Sequence, residues 1–151
     1  MVGYSGRRIL ITGGTGFVGG RLAERLALEE RAKVRVLVRD WPKAVWVSRA
    51  DVELVQGDVR DMDIIAQAMQ GCEIVFHCVG VGGTPDNCRS INVEGTRNVL
   101  RAAVDAGVER VVYLSSIAVH GPNPPNNADE RDEFRLTGSP YGDSKVMAER
   151  V

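Results

Sequence analysis

Residues Thr12-Gly13-Gly14-Thr15-Gly16-Phe17-Val18-Gly19 decide how this chain is read. Before them, Ile9-Leu10-Ile11 marks a buried strand from Arg8 to Thr12. After them, Val18, Leu22, Ala23, Leu26 and Ala27 recur with helical period over Phe17 to Glu30. Spaced glycines alone are a weak signal, but glycines that close a strand and open a helix form a phosphate-binding loop. Gly13 permits the tight turn, Gly16 lets the backbone approach a pyrophosphate, and Gly19 lets the helix pack closely on the sheet. Amide N–H groups and the dipole of the helix start supply the anion site. Thr15, Phe17 and Val18 belong to the same cofactor-binding stretch.

Outward from the loop, strands and helices alternate. Val34–Val38 and Val52–Val55 read as the second and third strands, with a short helix over Pro42–Ser48 between them. Asp61–Gln70 places Ile64, Ile65, Ala68 and Met69 on one helical face, with Gly71 as its stop. Glu73–Cys78 is a fourth strand, which makes Cys78 a small buried hydrophobe. Ile91–Ala106 is a long helix with Val99, Leu100, Ala103 and Val104 inward, ending before Gly107, and Val111–Leu114 is a fifth strand. Gly121–Gly138 is polar and rich in Pro and Asn, hence a surface loop, and helical character returns from Ser139 to Val151. Nearly continuous Val/Ile/Leu strands alternating with helices predict an α/β fold, a parallel sheet covered on both faces. Right-handed crossovers make it the doubly wound Rossmann arrangement, one domain over residues 1–151.

Composition narrows the function. The chain has 151 residues, is 44% hydrophobic and 26% charged, and carries 19 basic against 20 acidic residues, the balance of a soluble globular protein. No basic excess points to nucleic acid, and no apolar run reaches the roughly 20 residues that cross a bilayer. The start Met1-Val2-Gly3-Tyr4 shows no leader, so a cytoplasmic protein is expected. Cys72, Cys78 and Cys88 are an odd set without a CxxC pair, and His77 and His120 lack ligand neighbours, so reduced thiols and no metal are expected.

The tip of the second strand chooses the cofactor. An acidic residue there would bond a ribose 2′-hydroxyl and an arginine would accommodate a 2′-phosphate. Val38-Arg39-Asp40 offers both side by side. Arg39 falls first past the apolar run and Lys43 follows, which favours NADP over NAD because a guanidinium matches a phosphate as a fork.

Further segments carry a family resemblance. Gly57-Asp58-Val59-Arg60-Asp61, Val75-Phe76-His77-Cys78-Val79-Gly80, Asn92-Val93-Glu94-Gly95-Thr96, Leu114-Ser115-Ser116-Ile117-Ala118-Val119-His120-Gly121 and Tyr141-Gly142-Asp143-Ser144-Lys145 stand in order along the chain. Together they resemble the extended short-chain dehydrogenase/reductases, the group of NAD(P)-dependent epimerase/dehydratases and dihydroflavonol-reductase-like enzymes. The resemblance implies that Asp58 and the Val59 amide face the adenine, that Cys78, Val79 and Gly80 run past the cofactor riboses, and that Asn92 belongs to the cofactor site. It also implies a catalytic serine five residues before Gly121, which selects Ser116 over Ser115. His120 departs from the family pattern, which has a tyrosine there.

Tyr141 and Lys145 lie one helical turn apart on one face. A free phenol ionises near pH 10, and a nearby ammonium favours phenolate. By resemblance, Tyr141 exchanges the proton, Lys145 also bonds the nicotinamide ribose, and Ser116 bonds the substrate oxygen. The implied reaction is hydride transfer on a carbonyl or hydroxyl substrate such as a nucleotide sugar or ketone. The family continues well past the YxxxK helix into a substrate domain. The expectation is therefore a truncated Rossmann part with weak or absent turnover, a surface near the fifth strand left uncovered, and homodimerisation through it. A non-catalytic nucleotide-sensing module is the alternative, disfavoured by the joint presence of Ser116, Tyr141 and Lys145.

Overall fold

Uninterrupted aliphatic runs build the sheet. In the computed structural model, which describes residues 3–124 and 126–151, the strands are β1 (Arg8–Thr12), β2 (Lys33–Val38), β3 (Val52–Gln56), β4 (Ile74–His77) and β5 (Arg110–Tyr113). Met1-Val2 of the predicted start and Pro125 of the predicted loop lie outside the described residues. The strands pair in parallel in the order β3-β2-β1-β4-β5. This is the doubly wound Rossmann-like sheet predicted from the loop and the alternation.

The chain folds as two compact units, one built on the residues up to Val79 with Asn98–Leu114, the other on Gly80–Arg97 and Ser115–Val151. The first holds the sheet. Ile9 and Ile11 join Val34, Val36, Val38 and Ile74 in a core completed by Ala23 and Leu26 of α1 (Phe17–Leu28). Side chains alternate along a strand, so Leu10, Leu37 and Val75 face the other way, and they are buried as well. Their side of the sheet is covered because α2 (Met62–Met69) buries Ile65, Ala68 and Met69. Asp61 caps α2 by accepting from the amides of Asp63 and Ile64 at 3.1 and 3.2 Å, and Gly71 ends the segment at φ +68°.

The second unit contains α3 (Pro85–Cys88), the start of α4 (Gly95–Asp105) and α5 (Pro140–Glu149). Ser139 caps α5 through the Gly142 amide at 3.3 Å. The Asp143 carboxylate accepts from the amides of Thr137 and Gly138 at 2.8 and 2.9 Å, pinning the loop to the helix start.

Several expectations are corrected. The long helix predicted over Ile91–Ala106 begins as a π-helical turn, Arg89–Glu94, and becomes α-helical only at Gly95. Thr96 diverts the backbone ladder there by donating its hydroxyl to the Asn92 carbonyl at 2.6 Å. Val104, expected inward, is 80% exposed, because the inward stripe is Val99, Ala102 and Ala103 and the next residue turns out to solvent. Cys78 follows β4 and is only half-buried, since its strand stops at His77, whereas Cys72 and Cys88 are buried. Pro42–Ser48 forms two 3₁₀ turns, Trp41–Ala44 and Val47–Arg49, in place of one helix.

Candidate functional site

In the first unit the glycine loop leaves β1 and enters α1. Gly13 has φ +75°, and a Cβ there would stand 2.7 to 2.8 Å from the backbone of Cys78 and Val79. At Gly19 a Cβ would collide with the Gly13 carbonyl, and at Gly14, to which the sequence assigns no role, with Val36. Gly16 is different: only the Gly13 carbonyl oxygen lies near, at 3.2 Å. No side chain caps α1 and its first turn holds no acid, so its leading amides face outward with the positive end of the dipole. Thr15, Gly16, Phe17 and Val18 are all exposed there, Phe17 at 89%.

Arg39, exposed at the tip of β2, joins none of the ion pairs among the described residues, whereas Lys43 lies 3.6 Å from the Asp40 carboxylate. Asp58 accepts from the Arg60 guanidinium at both carboxylate oxygens, at 2.8 Å each, and from the Arg60 amide at 2.9 Å. These bonds from Arg60 hold its carboxyl below the usual carboxylate range, and the charge of Arg39 acts in the same direction. Val59 is buried, and its carbonyl accepts from Asn98 at 3.0 Å. Cys78 and Val79 are half-buried where the chain leaves β4.

The second unit holds the other candidates, among them the exposed Gly80. Ser116 is extended and half-buried, and its Oγ accepts from the Ala118 amide at 3.2 Å as it caps the 3₁₀ turn Ile117–His120. That turn packs against α5, where a Cβ on Gly142 would stand 3.2 Å from the Ala118 carbonyl oxygen. Tyr141 is half-buried in the first turn of α5, and Lys145, one turn on, is 1% exposed. His120 is buried against Phe134, with ring centroids 6.0 Å apart.

Asn92, carried over as a cofactor contact, spends its side chain within this unit. Its amide donates to the Val81 carbonyl and to Ser144 Oγ, both at 2.8 Å, and its oxygen accepts from the Val81 amide at 2.9 Å. Ser144 Oγ in turn donates to the Tyr141 carbonyl at 2.7 Å. Sequence reasoning gives Ser144 no role, because its spacing alone holds no signal for this link.

No helix among the described residues is long and apolar enough to cross a membrane, and no metal-binding group of His, Cys, Asp or Glu is gathered among them.

Comparison with known proteins agrees with this arrangement. The model of the 3-beta hydroxysteroid dehydrogenase/isomerase family matches residues 10–151. The chain is 33% identical to 3 beta-hydroxysteroid dehydrogenase type 7 of Mus musculus, over 94% of this chain and 42% of that protein. It is 39% identical to a putative dihydroflavonol 4-reductase of Synechocystis sp., over 93% of this chain and 42% of that protein. Among solved structures, a short-chain dehydrogenase/reductase superfamily protein from Agrobacterium tumefaciens with bound NAD superposes with a TM-score of 0.80. It shares 31% identity, over 95% of this chain and 43% of that one. The chain thus spans less than half the length of these proteins. With the family model covering nearly all of it, the chain belongs to the 3-beta hydroxysteroid dehydrogenase/isomerase family, among the extended short-chain dehydrogenase/reductases.

Proposed function

We propose that this chain is the NAD(P)-binding part of a reductase or epimerase/dehydratase acting on a carbonyl or hydroxyl substrate, such as a ketone or nucleotide sugar. The observation that carries the proposal is the Gly13–Gly19 loop, where collisions exclude side chains at Gly13, Gly14 and Gly19, while Gly16 is exposed beside the uncapped start of α1 with only the Gly13 carbonyl oxygen near it. A pyrophosphate fits that surface by charge and by steric access. Arg39, in no ion pair among the described residues, supports a preference for NADP over NAD. The residues proposed to line the rest of the cofactor path are Asp58, Val59, Cys78, Val79 and Gly80, with Lys43 beside Arg39.

When bound, the nicotinamide supplies or accepts the hydride. The chain's own part is proton handling. In the reducing direction, Tyr141 Oη gives its proton to the substrate oxygen as the carbonyl carbon gains hydride, and Ser116 Oγ donates a hydrogen bond to the same oxygen. Lys145, buried one turn after Tyr141, is the residue proposed to act beside Tyr141 and to hold the nicotinamide ribose. Sharing one unit, with Ser116 on a turn packed against α5, supports a joint role for these three residues over a purely sensing module. A cytoplasmic setting is part of the proposal, and pairing of two copies through β5 is proposed for the assembled state.

Calorimetric titration with NADPH and NADH tests the reading. Micromolar binding, about −8 kcal/mol, is expected, tighter for NADPH and equalised by Arg39→Ala. Tyr141→Phe is expected to keep binding and remove turnover in any preparation that reduces a ketone. Absence of binding to both nucleotides would overturn the proposal.

A further inference from the structure

The seam between β1 and β4 is apolar along its length until its last step. Ile9 stands in register with Ile74, Leu10 with Val75 and Ile11 with Phe76, but the final pair is Thr12 with His77. Both of these polar residues are buried, Thr12 at 0% and His77 at 1% exposure. Thr12 Oγ1 and His77 Nδ1 share a hydrogen bond of 2.6 Å. Tyr113, in register with His77 on β5, lays its ring beside the imidazole at 5.7 Å and 30°.

An aliphatic pair would serve the packing of this face as it does two residues earlier, where Leu10 stands in register with Val75. A buried polar pair instead adds desolvation, which is recovered only when the two groups meet in a fixed geometry. It therefore fixes position in a way that Ile against Ile does not.

The phosphate loop begins directly after Thr12. The Cys78 amide donates to the Thr12 carbonyl at 3.0 Å, and Gly13, at φ +75°, lies so close to Cys78 and Val79 that a Cβ would meet their backbone at 2.7 to 2.8 Å. The turn at Gly13 is thus seated on the exit of β4, and a displacement of Thr12 relative to His77 displaces the loop. We infer that His77 is a positioning residue for the dinucleotide phosphate, acting through its hydrogen bond to Thr12. The inference rests on the proposed dinucleotide binding.

The test compares the parent chain with Thr12→Val and His77→Leu, which break the bond from either side. Thr12→Ser and His77→Asn keep a hydrogen-bonding group at the same place. Titration with NADPH and NADH, well below the unfolding temperature of each variant, is expected to show about tenfold weaker binding for the two bond-breaking variants. The two bond-keeping variants stay within about twofold of the parent. Adenosine, which lacks phosphate, serves as the control probe by competition, and its affinity is expected to be unchanged throughout. Parental dinucleotide affinity in a folded Thr12→Val or His77→Leu chain would overturn the inference. So would a parallel loss of adenosine affinity, or failure of both bond-breaking variants to fold, since either marks the pair as a determinant of the sheet alone. A parent that binds neither nucleotide overturns instead the dinucleotide reading itself, and is seen before any variant is made.

Discussion

Gly13 and Gly16 sit three residues apart in the same loop, yet a methyl group would meet different surroundings at each. At Gly13 it would require an L-residue at φ +75° and would strike the backbone of Cys78 and Val79, which has no rotamer by which to yield. The left-handed backbone alone costs about 1–2 kcal/mol, and the collision adds to it. At Gly16 the backbone is extended, φ −84° and ψ 172°, and only one carbonyl oxygen is near. Gly13→Ala is therefore expected to lower the unfolding temperature by several degrees, at roughly 2–4 °C per kcal/mol for a chain of this size. Gly16→Ala is expected to melt close to the parent while binding NADPH or NADH at least tenfold more weakly. Thermal unfolding and calorimetry on the two variants separate the effects. A Gly16→Ala chain with parental affinity would remove the pyrophosphate from the loop.

At the level of elements, the π-helical turn Arg89–Glu94 and α5 are tied by one serine. Ser144 accepts from Asn92 and donates to the Tyr141 carbonyl, and it is 3% exposed. Ser144→Ala leaves a buried amide proton of Asn92 without its acceptor, at a cost of about 1–3 kcal/mol. Urea unfolding should show that loss, and amide exchange should quicken together in the first turn of α5 and the turn before α4. Quickening confined to α5 would mean that the serine serves its own helix only. This link also marks where sequence reading stops. β1, α1 and α2 are legible because their signals are local: an aliphatic run, a helical stripe and Gly71 as stop, although α1 ends at Leu28 and not at the expected Glu30. The partners of Asn92 lie 11 and 52 residues away, and that of His77 lies 65 away, so no window along the chain contains them. Val104 is misplaced by its sequence because an apolar residue beside a helical stripe looks like part of it. The short α3 has its signals, Thr84 as cap and Pro85 at the first position, but only four residues in which to show them. The candidate catalytic residues are legible as family motifs, whereas their support is not.

At the scale of the whole sheet, the two edges are finished differently. β3 closes one side with Glu53 exposed and paired to Arg35 at 3.0 Å, and with Gln56 beyond it, a polar border that resists further pairing. β5 closes the other with Val112 41% exposed and Leu114, just past its end, 40% exposed. An apolar edge strand, with no further strand paired to it among the described residues, is a template for another chain, and two copies meeting there would continue the sheet across a two-fold axis. The proposed homodimer grows out of this asymmetry, and Val112→Glu addresses it directly. An acidic side chain at an already exposed position changes the stability of one copy by about 0.5 kcal/mol or less, but sets like charges against each other in a symmetric pair. Light scattering over a range of concentrations is expected to give a dimer for the parent and a monomer for Val112→Glu, with both unfolding at nearly the same temperature when dilute. A parent that stays monomeric at high concentration removes the dimer. A dimer that survives the substitution places the interface away from β5, on a surface that the sheet edge does not form.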